Sequence, residues 1–159
     1  MNAKAQTHTL VIVPCAADKA AEATTARELY TSPNFAHIIA GALAEAEATE
    51  RDLGTPARVM ILSAKHGLLE LDQVVEPYDV KMSQKALRIA TSEIVTQLLA
   101  LEPASIVSLL PATYADVLRA AVEEANEVAT DTDLMDAYEY SPGIGYMRGT
   151  ASALVRNAA

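Results

Sequence analysis

Short runs of aliphatic residues recur along the chain and are separated by longer stretches with helical periodicity. The runs at 8–14, 59–63 and 105–110 are rich in Val, Ile and Leu, and they are too short for typical buried helices. Such runs predict buried β-strands, because β-branched side chains pack well on a pleated sheet. The pattern therefore predicts three core strands, well separated along the chain.

Helices are predicted between and after these strands. Ser32 followed by Pro33 predicts the start of the first, because serine caps a helix N-terminus and proline fits the first turn. An apolar stripe with a period of 3.6 residues then continues as far as Gly54, which predicts the end. Ser83 is expected to cap the second helix, with Leu87 on its buried face. The four predicted starts are Ser32-Pro33, Ser83, residue 112 and Ser141-Pro142.

The alternation of strands and helices predicts an α/β fold with three layers. We expect a short, mostly parallel sheet of three or four strands with helices on both faces, joined by right-handed βαβ units. Residues 128–130 are the candidate for a fourth strand, and the third helix is expected over 112–126. The length predicts one domain over residues 1–159, with residues 1–7 as a disordered tail.

Charge argues against one class of function. The formal net charge is −9, whereas sequence-independent binding along a phosphate backbone needs a basic face. The charge is uneven, because residues 116–139 are strongly acidic while residues 65–88 hold several cations. The cations in that segment are Lys65, Lys81, Lys85 and Arg88. They indicate either a local positive site on an acidic protein or an ordinary solvated helix face.

The cysteine content and the first apolar run indicate the compartment. Cys15 is the only cysteine, so an internal disulfide is impossible and a reducing compartment is expected. The run at 10–13 is too short for a signal peptide or a membrane span, which predicts a cytoplasmic protein with no membrane partner. Scattered histidines and one cysteine do not form a ligand set, so neither a metal nor another cofactor is expected.

Polar residues crowd the stretch LSAKHGLLELDQVVEPYDVKM, residues 62–82, which directly follows the second predicted strand. Ligands of open α/β sheets bind at the carboxyl ends of the strands. This stretch and the one at 14–19 would meet at the same edge if their strands are neighbours. We therefore interpret 62–82 as a loop that builds a site for a nucleotide or a nucleobase.

Candidate chemistry within this loop centres on an imidazole, a phenol and a carboxylate. His66, beside Lys65, can stabilise a departing base or an anion, although a lone histidine is also a common structural residue. Tyr78 suits stacking on a base, or it anchors the loop to the core. Asp79 can orient a water molecule or bond a sugar hydroxyl, or it caps the following turn. Gly67 is expected to adopt a positive φ or to allow a close ligand approach, with a simple turn as the alternative.

Other candidate residues precede predicted helices. Arg27 can bind a phosphate as a bidentate donor, and Tyr30 would lie near the same edge of the sheet. Cys15 is interpreted as a small buried residue rather than a nucleophile. The Gly-Ile-Gly sequence at 143–145 can approach a phosphate at a helix N-terminus, although a simple helix start explains it as well.

Four motifs carry a resemblance to a known family: CAADK at 15–19, ARELYTSP at 26–33, SAKHGLL at 63–69 and PYD at 77–79. Together they resemble a domain of unknown function found in bacteria, archaea and phages. Its members are loosely associated with archaeosine and queuine tRNA-ribosyltransferase proteins. The loop alone is similar to the signature of the YaaA peroxide-stress family, which has Tyr before GlyLeuLeu where this chain has His66, and Arg after ProTyr where it has Asp79.

The resemblance implies a fold like that of uracil-DNA glycosylase and a role near nucleobases. YaaA-like proteins are associated with DNA binding. This chain is shorter and more acidic than they are and shows no helix-hairpin-helix pattern, which argues against direct binding to a duplex.

The leading hypothesis is a nucleobase-directed enzyme, either an N-glycosidase or a base-exchange enzyme acting on a nucleotide, a nucleoside or nucleic acid. Asp79 or Asp18 would stabilise the cationic sugar, while His66 and Lys65 would stabilise the departing base. Tyrosines would hold the base and cations would hold the phosphate. The residues assigned to substrate binding are Cys15, Asp18, Lys19, Arg27, Tyr30, Ser63, Gly67 and Tyr78.

Two further hypotheses stay open. The second is a module that binds nucleic acid or a nucleotide without turnover. The third is a phage-like or host-modulating interaction protein whose acidic region 116–139 binds a basic partner or mimics the charge of nucleic acid. One version of this hypothesis is a homo-oligomer. The enzymatic hypothesis requires His66 and Asp79 to lie in one shared concave patch.

Overall fold

The computed structural model describes residues 8–138. The predicted tail at 1–7, the helix predicted after Ser141-Pro142 and the Gly-Ile-Gly sequence at 143–145 lie outside the described residues. The elements in chain order are β1 Thr9–Pro14, β2 Thr24–Thr25, α1 Ala26–Leu29, α2 Pro33–Leu53, β3 Ala57–Ser63, β4 Gly67–Glu70, β5 Val74–Val75, α3 Thr91–Leu101, β6 Ser105–Ser108, α4 Ala112–Val128 and β7 Asp133–Asp136.

A five-stranded, mostly parallel sheet with strand order β4-β3-β1-β6-β7 forms the centre of the fold. The predicted count of three or four strands is too low, because the antiparallel edge strand β4 was not predicted. β1 is parallel to β3 and β6, β6 is parallel to β7, and only β4 is antiparallel to its neighbour β3. The three predicted strands correspond to β1, β3 and β6, and β1 and β3 are neighbours as the site hypothesis required. β2 and β5 form a separate two-stranded sheet.

Helices cover the sheet, which confirms the predicted α/β class. α2 packs on β1 and β3, whereas α3 packs on α4 and β4. The chain moves from β1 to β3 in one direction and from β3 to β6 in the other. Because parallel crossovers are right-handed, α2 and the pair α3 and α4 lie on opposite faces, which gives three layers.

Aliphatic side chains of the central strands form the core. Leu10, Ile12, Ile61, Leu62 and Ile106 are fully buried. Burying one such side chain stabilises the fold by about 1.5–3 kcal/mol relative to leaving it in water. No helix among residues 8–138 is long and apolar enough to cross a membrane.

The first predicted helix corresponds to α2, which begins and ends where predicted. The Oγ of Ser32 accepts a hydrogen bond from the backbone N–H of Phe35 at 3.1 Å, which is the expected N-cap. Gly54 follows the helix with φ of 72°, and its N–H donates to the carbonyl of Glu50. The third predicted helix corresponds to α4, which contains the predicted range 112–126.

Two predicted elements are wrong in position. The second predicted helix corresponds to α3, which begins at Thr91 and not near Ser83. Leu87 was expected on its buried face but is 62% exposed. The segment before it makes turns because its backbone bonds elsewhere: the N–H of Ile89 donates to the carbonyl of Ala64 at 2.8 Å. The fourth parallel strand lies at Asp133–Asp136, whereas residues 128–130 form the end of α4 and the residues after it.

The stretch 62–82 is not a single loop, because it contains β4 and β5. β4 is an edge strand, and two glutamines satisfy the backbone groups on its open side. Gln97 of α3 accepts from the N–H of Leu68 at 2.8 Å and donates to its carbonyl at 3.4 Å. Gln73 accepts from the N–H of Glu70 at 3.4 Å, and its own N–H donates to the carbonyl of Glu70 at 3.2 Å. These bonds occupy groups that would otherwise pair with another chain.

Candidate functional site

A cavity of about 240 Å³ opens at the carboxyl edge of the sheet, between the segments that follow β1 and β6. We name it the switch-point cavity, because the chain leaves these two neighbouring strands toward opposite sides of the sheet. Open α/β sheets bind ligands at such a point. Its lining residues are Cys15, Ala16, Ala17, Lys19, Asp79, Val80, Lys81, Met82, Ser83, Thr113 and Tyr114.

Charged side chains line the switch-point cavity with a local positive excess. Lys19 and Lys81 face a single carboxylate, that of Asp79. None of the three takes part in a salt bridge with another residue in the range 8–138. Their charges are therefore not neutralised by an ion pair within the described residues and can interact with a ligand.

Lys19 is held in place by two contacts. Its Nζ donates to the carbonyl of Ala17 at 3.1 Å and lies 4.4 Å from the ring centroid of Tyr78, a cation–π contact. The ring of Tyr30 is 5.8 Å away. An ammonium group has three N–H donors, so two donors of Lys19 remain after the bond to Ala17. The side chain is thus partly ordered before any ligand binds.

A chain of three hydroxyl groups lies beneath this lysine. Ser63, fully buried at the end of β3, accepts from the backbone N–H groups of Lys65 at 3.1 Å and His66 at 3.0 Å. Both lone pairs of its oxygen are then used, so its own hydrogen donates to the hydroxyl of Tyr78 at 2.7 Å. Tyr78 in turn shares a 2.5 Å hydrogen bond with Tyr30. The chain ties the segment around Tyr78 to the end of β3.

Burial keeps the tyrosines around Cys15 protonated. It raises the pKa of Tyr30 to about 12, and together with the nearby Cys15 it raises the pKa values of Tyr78 and Tyr114 further still. The hydroxyl of Tyr114 lies 3.1 Å from the Sγ of Cys15. These phenols can therefore donate hydrogen bonds at neutral pH, but none of the three is a suitable general base.

A second cavity, of about 420 Å³, contains His66, and we name it the His66 cavity. The ring of His66 meets the ring of Tyr78 edge to face, with centroids 5.4 Å apart. Burial, followed by the charge of Lys65, lowers the pKa of His66, so its imidazole is neutral at pH 7. The residues that line the cavity are Lys65, His66, Gln73, Val74, Val75, Glu76 and Pro77.

Comparisons with known proteins gave one match. A family model described as a family of unknown function, DUF6884, matches residues 10–136, which is most of the chain. The chain belongs to the DUF6884 family. The search of curated proteins found no match, and neither did the search of solved structures. The DUF6884 match runs from β1 to the end of β7, so the residues that line both cavities lie inside the family domain.

Membership of DUF6884 supports the predicted resemblance to a domain of unknown function. The links to archaeosine and queuine proteins and to the YaaA family stay predictions, and so does the likeness to uracil-DNA glycosylase. No group of three or more His, Cys, Asp or Glu side chains among residues 8–138 could hold a metal ion.

Several predicted site residues of this DUF6884 domain line a cavity, but they divide between two. Cys15, Lys19 and Asp79 line the switch-point cavity, whereas Lys65 and His66 line the His66 cavity. Ser63, Tyr30 and Tyr78 form the hydroxyl chain named above. Tyr78 contacts both sides, because its ring touches Lys19 and His66.

Other predicted site residues contribute backbone hydrogen bonds or a turn conformation rather than side chains in a cavity. Asp18 and Arg27 are exposed and line neither cavity. The carbonyl of Asp18 accepts from the N–H of Thr31, and the N–H of Arg27 donates to Leu71. Gly67 has the expected positive φ, +74°, and the group that approaches it closely is the side chain of Gln97.

Sequence reasoning missed the α4 side of the switch-point cavity. Thr113 and Tyr114 line it because β6 is the neighbour of β1, and strand order cannot be read from the sequence. Tyr114 falls within the helix predicted over 112–126 and is not among the predicted site residues. Its position just after a predicted strand is the signal that could have marked it. The sequence predicts Lys81 as one cation of the segment 65–88 and Ser83 as a helix cap, and neither prediction places them in this cavity.

Proposed function

We propose that this DUF6884 protein binds a nucleobase-containing phosphate of about mononucleotide size in the switch-point cavity. The observation that carries the proposal is the pair of unpaired ammonium groups, Lys19 and Lys81, beside an aromatic ring in a cavity at the switch point of the sheet. The proposal is closest to the binding-module hypothesis. His66 and Asp79 line different cavities, so the second candidate is a form of the enzymatic hypothesis that uses Asp79 without His66.

The phosphate would lie between the lysines. Ammonium groups bind phosphate as point charges, and the hydroxyl groups of Ser83 and Thr113, which line the same cavity, can add donors. Lys19 is already ordered by the carbonyl of Ala17 and the ring of Tyr78, so less side-chain entropy is lost on binding. The chain as a whole has a formal net charge of −9, which would favour one small anion over a long phosphate backbone.

The base would pack on Tyr114 and not on Tyr78. Lys19 lies over the face of Tyr78, and Tyr30 is only 4% exposed, so neither ring is open to stacking. Tyr114 is half-buried beside Val80 and Met82 in the cavity wall. Ligand pockets typically measure about 300–1,000 Å³. The cavity, at about 240 Å³, is slightly below this range, so it would enclose one nucleotide only in part and is too small for a base pair within a duplex.

A binding experiment tests the proposal directly. Isothermal titration calorimetry with nucleoside monophosphates, the matching nucleosides and inorganic phosphate should give tighter binding for monophosphates than for nucleosides. Lys81→Ala removes a charge-assisted contact of about 1.5 kcal/mol and should weaken monophosphate binding about tenfold. Lys85→Ala is the matched control, because Lys85 is exposed in the same segment and does not line the cavity. Equal affinity for nucleosides, or equal effects of the two substitutions, would contradict the proposal.

Hydrolysis of the N-glycosidic bond is the second candidate, and the carboxylate of Asp79 in the same cavity favours it. Water would attack the anomeric carbon, the carbon–nitrogen bond would break, and the base would leave with a proton from a cavity ammonium group. The proton that the water loses would pass to Asp79 and from there to the amine that had become neutral. Asp79 would orient the water or stabilise the positive charge that develops on the sugar.

Mass spectrometry of the reaction mixture separates binding from turnover. Free base and sugar phosphate should appear with wild-type protein, and Asp79→Asn should abolish release while binding stays within a few-fold. If no monophosphate releases its base, or if Asp79→Asn releases it as fast as wild type, hydrolysis at this site is rejected. The binding proposal is unaffected by that result.

A further inference from the structure

The His66 cavity carries the chemistry that recognises a planar heterocycle. Lys65 and Gln73 supply donors, Glu76 supplies an acceptor, and His66, neutral because burial and Lys65 lower its pKa, supplies one of each. No salt bridge among residues 8–138 uses Lys65, His66 or Glu76. The polar groups of this cavity are thus not consumed by one another.

Apolar groups complete the wall of the His66 cavity. Val74 is 69% exposed, and Val75 and Pro77 lie beside it in the lining. An exposed valine contributes little to the core, whereas an apolar surface beside a few donors and acceptors is the usual composition of a ligand pocket. A base that is unstacked from its neighbours needs the same combination of flat apolar contact and hydrogen bonds at its edge.

The two cavities share a wall. Glu76 and Pro77 line the His66 cavity, and Asp79 and Val80 line the switch-point cavity, so the segment 76–80 separates them. The Nζ of Lys19 and the imidazole of His66 touch the same ring, that of Tyr78, at 4.4 Å and 5.4 Å from its centroid. They therefore lie within about 10 Å of each other, a span that adjacent nucleotides of a single strand can bridge.

We infer that the His66 cavity is a second subsite, which holds the base of a neighbouring nucleotide when the ligand is a short single-stranded oligonucleotide. The inference rests on the proposed function, because the first nucleotide would occupy the switch-point cavity. The strand would cross the segment 76–80 with one base on each side. A duplex does not fit, since its bases stay stacked and paired.

Titration with 5′-phosphorylated mono- and dinucleotides tests the inference. Wild-type protein should bind a dinucleotide at least about tenfold more tightly than a mononucleotide, which corresponds to ~1.4 kcal/mol from the second base. Val74→Asp should remove that gain and keep the mononucleotide affinity. Val128→Asp is the matched control, because Val128 is 64% exposed, lines neither cavity and acquires the same charge.

The outcomes separate the inference from the proposed function. If mononucleotides bind but dinucleotides bind no more tightly, or if Val74→Asp keeps the full dinucleotide gain, the second subsite is rejected and the first survives. If neither ligand binds, both are rejected. A loss of the gain in Val128→Asp as well would attribute the effect to net charge and would also overturn the subsite.

Discussion

Gly67 holds the turn between β3 and β4, and replacing it with alanine should be much more costly than the same replacement at Gly54. Both glycines have a left-handed backbone, with φ of +74° at Gly67 and +72° at Gly54. An alanine in that conformation costs about 1–2 kcal/mol at either position. Effects on the unfolded chain are also similar for the two substitutions and cancel in the comparison.

The difference arises from Gln97. A Cβ on residue 67 would clash with the Oε1 of Gln97 and stand 2.8 Å from the Cδ1 of Ile89, whereas a Cβ on residue 54 would meet nothing within 4 Å. Gln97 would have to move, and it would lose its bonds to the N–H of Leu68, the carbonyl of Leu68 and the carbonyl of His66. At ~1 kcal/mol for each bond, the loss is about 2–3 kcal/mol. Gly67→Ala should therefore destabilise the fold by about 3–5 kcal/mol and Gly54→Ala by about 1–2 kcal/mol.

Urea unfolding of four variants measures this difference. Gly67→Ala should unfold at a clearly lower urea concentration than Gly54→Ala, with an unchanged slope. Gln97→Ala alone should cost about 2–3 kcal/mol, and the double variant should cost less than the sum, because the added methyl group no longer displaces an amide. Equal costs for the two glycine substitutions, within about 0.5 kcal/mol, or strict additivity with Gln97→Ala, would show that displacement of Gln97 does not cause the difference.

Three further predictions concern the titratable groups and hydroxyls of the site. Tyr78→Phe should destabilise the fold by about 2–3 kcal/mol, because the hydroxyl groups of Ser63 and Tyr30 lose their hydrogen-bond partner. Tyr138→Phe should be nearly neutral, since the buried hydroxyl of Tyr138 has no partner among the described residues. Equal effects of the two substitutions in urea unfolding would contradict this prediction. His66 has a pKa below its ordinary 6.5, so its contribution to stability is complete above pH 6.5 and is lost as the pH falls toward the lowered value. His66→Gln should therefore reduce the loss of stability between about pH 7 and pH 5, and an unchanged pH profile would count against it. The pKa of Tyr30 is raised to about 12, so its contribution is present below pH 10 and is lost as the pH rises through 12; the phenolate absorbance of folded protein should show delayed tyrosine titration, and complete titration near pH 10 would exclude it.

Local physics made the central strands and the first helix predictable. The aliphatic runs that became β1, β3 and β6 have no competing pattern, and Ser32, Pro33 and Gly54 mark helix ends through their own side chains and backbone preferences. β4 was missed because Gly67–Glu70 has only two apolar residues, Leu68 and Leu69, side by side. A strand held by pairing with β3 and by glutamine side chains leaves little trace in its own sequence.

The site could be predicted from the sequence only where its residues follow β1 and β3, two strands that are consecutive in the central sheet along the chain and also adjacent in space. The segments after β1 and β3 both contribute, as expected from the carboxyl-end rule. Thr113 and Tyr114 could not be placed there, because the adjacency of β6 to β1 depends on strand order. The separation of His66 from Asp79 also depends on tertiary structure, since Tyr78 turns inward to reach Ser63 and divides the two cavities.

A nucleotide phosphate that binds in the switch-point cavity should change the environment of the backbone amides around it. Two-dimensional proton–nitrogen NMR during titration with a nucleoside monophosphate measures this residue by residue. The largest shifts should fall on residues 15–17, 19, 79–83 and 113–114, which line the cavity, and these shifts should saturate together. A larger groove of about 940 Å³ is lined by residues of α2, β3 and β4, among them Ala44 and Glu47. Shifts that centre on this groove, or that never saturate, would contradict binding in the switch-point cavity.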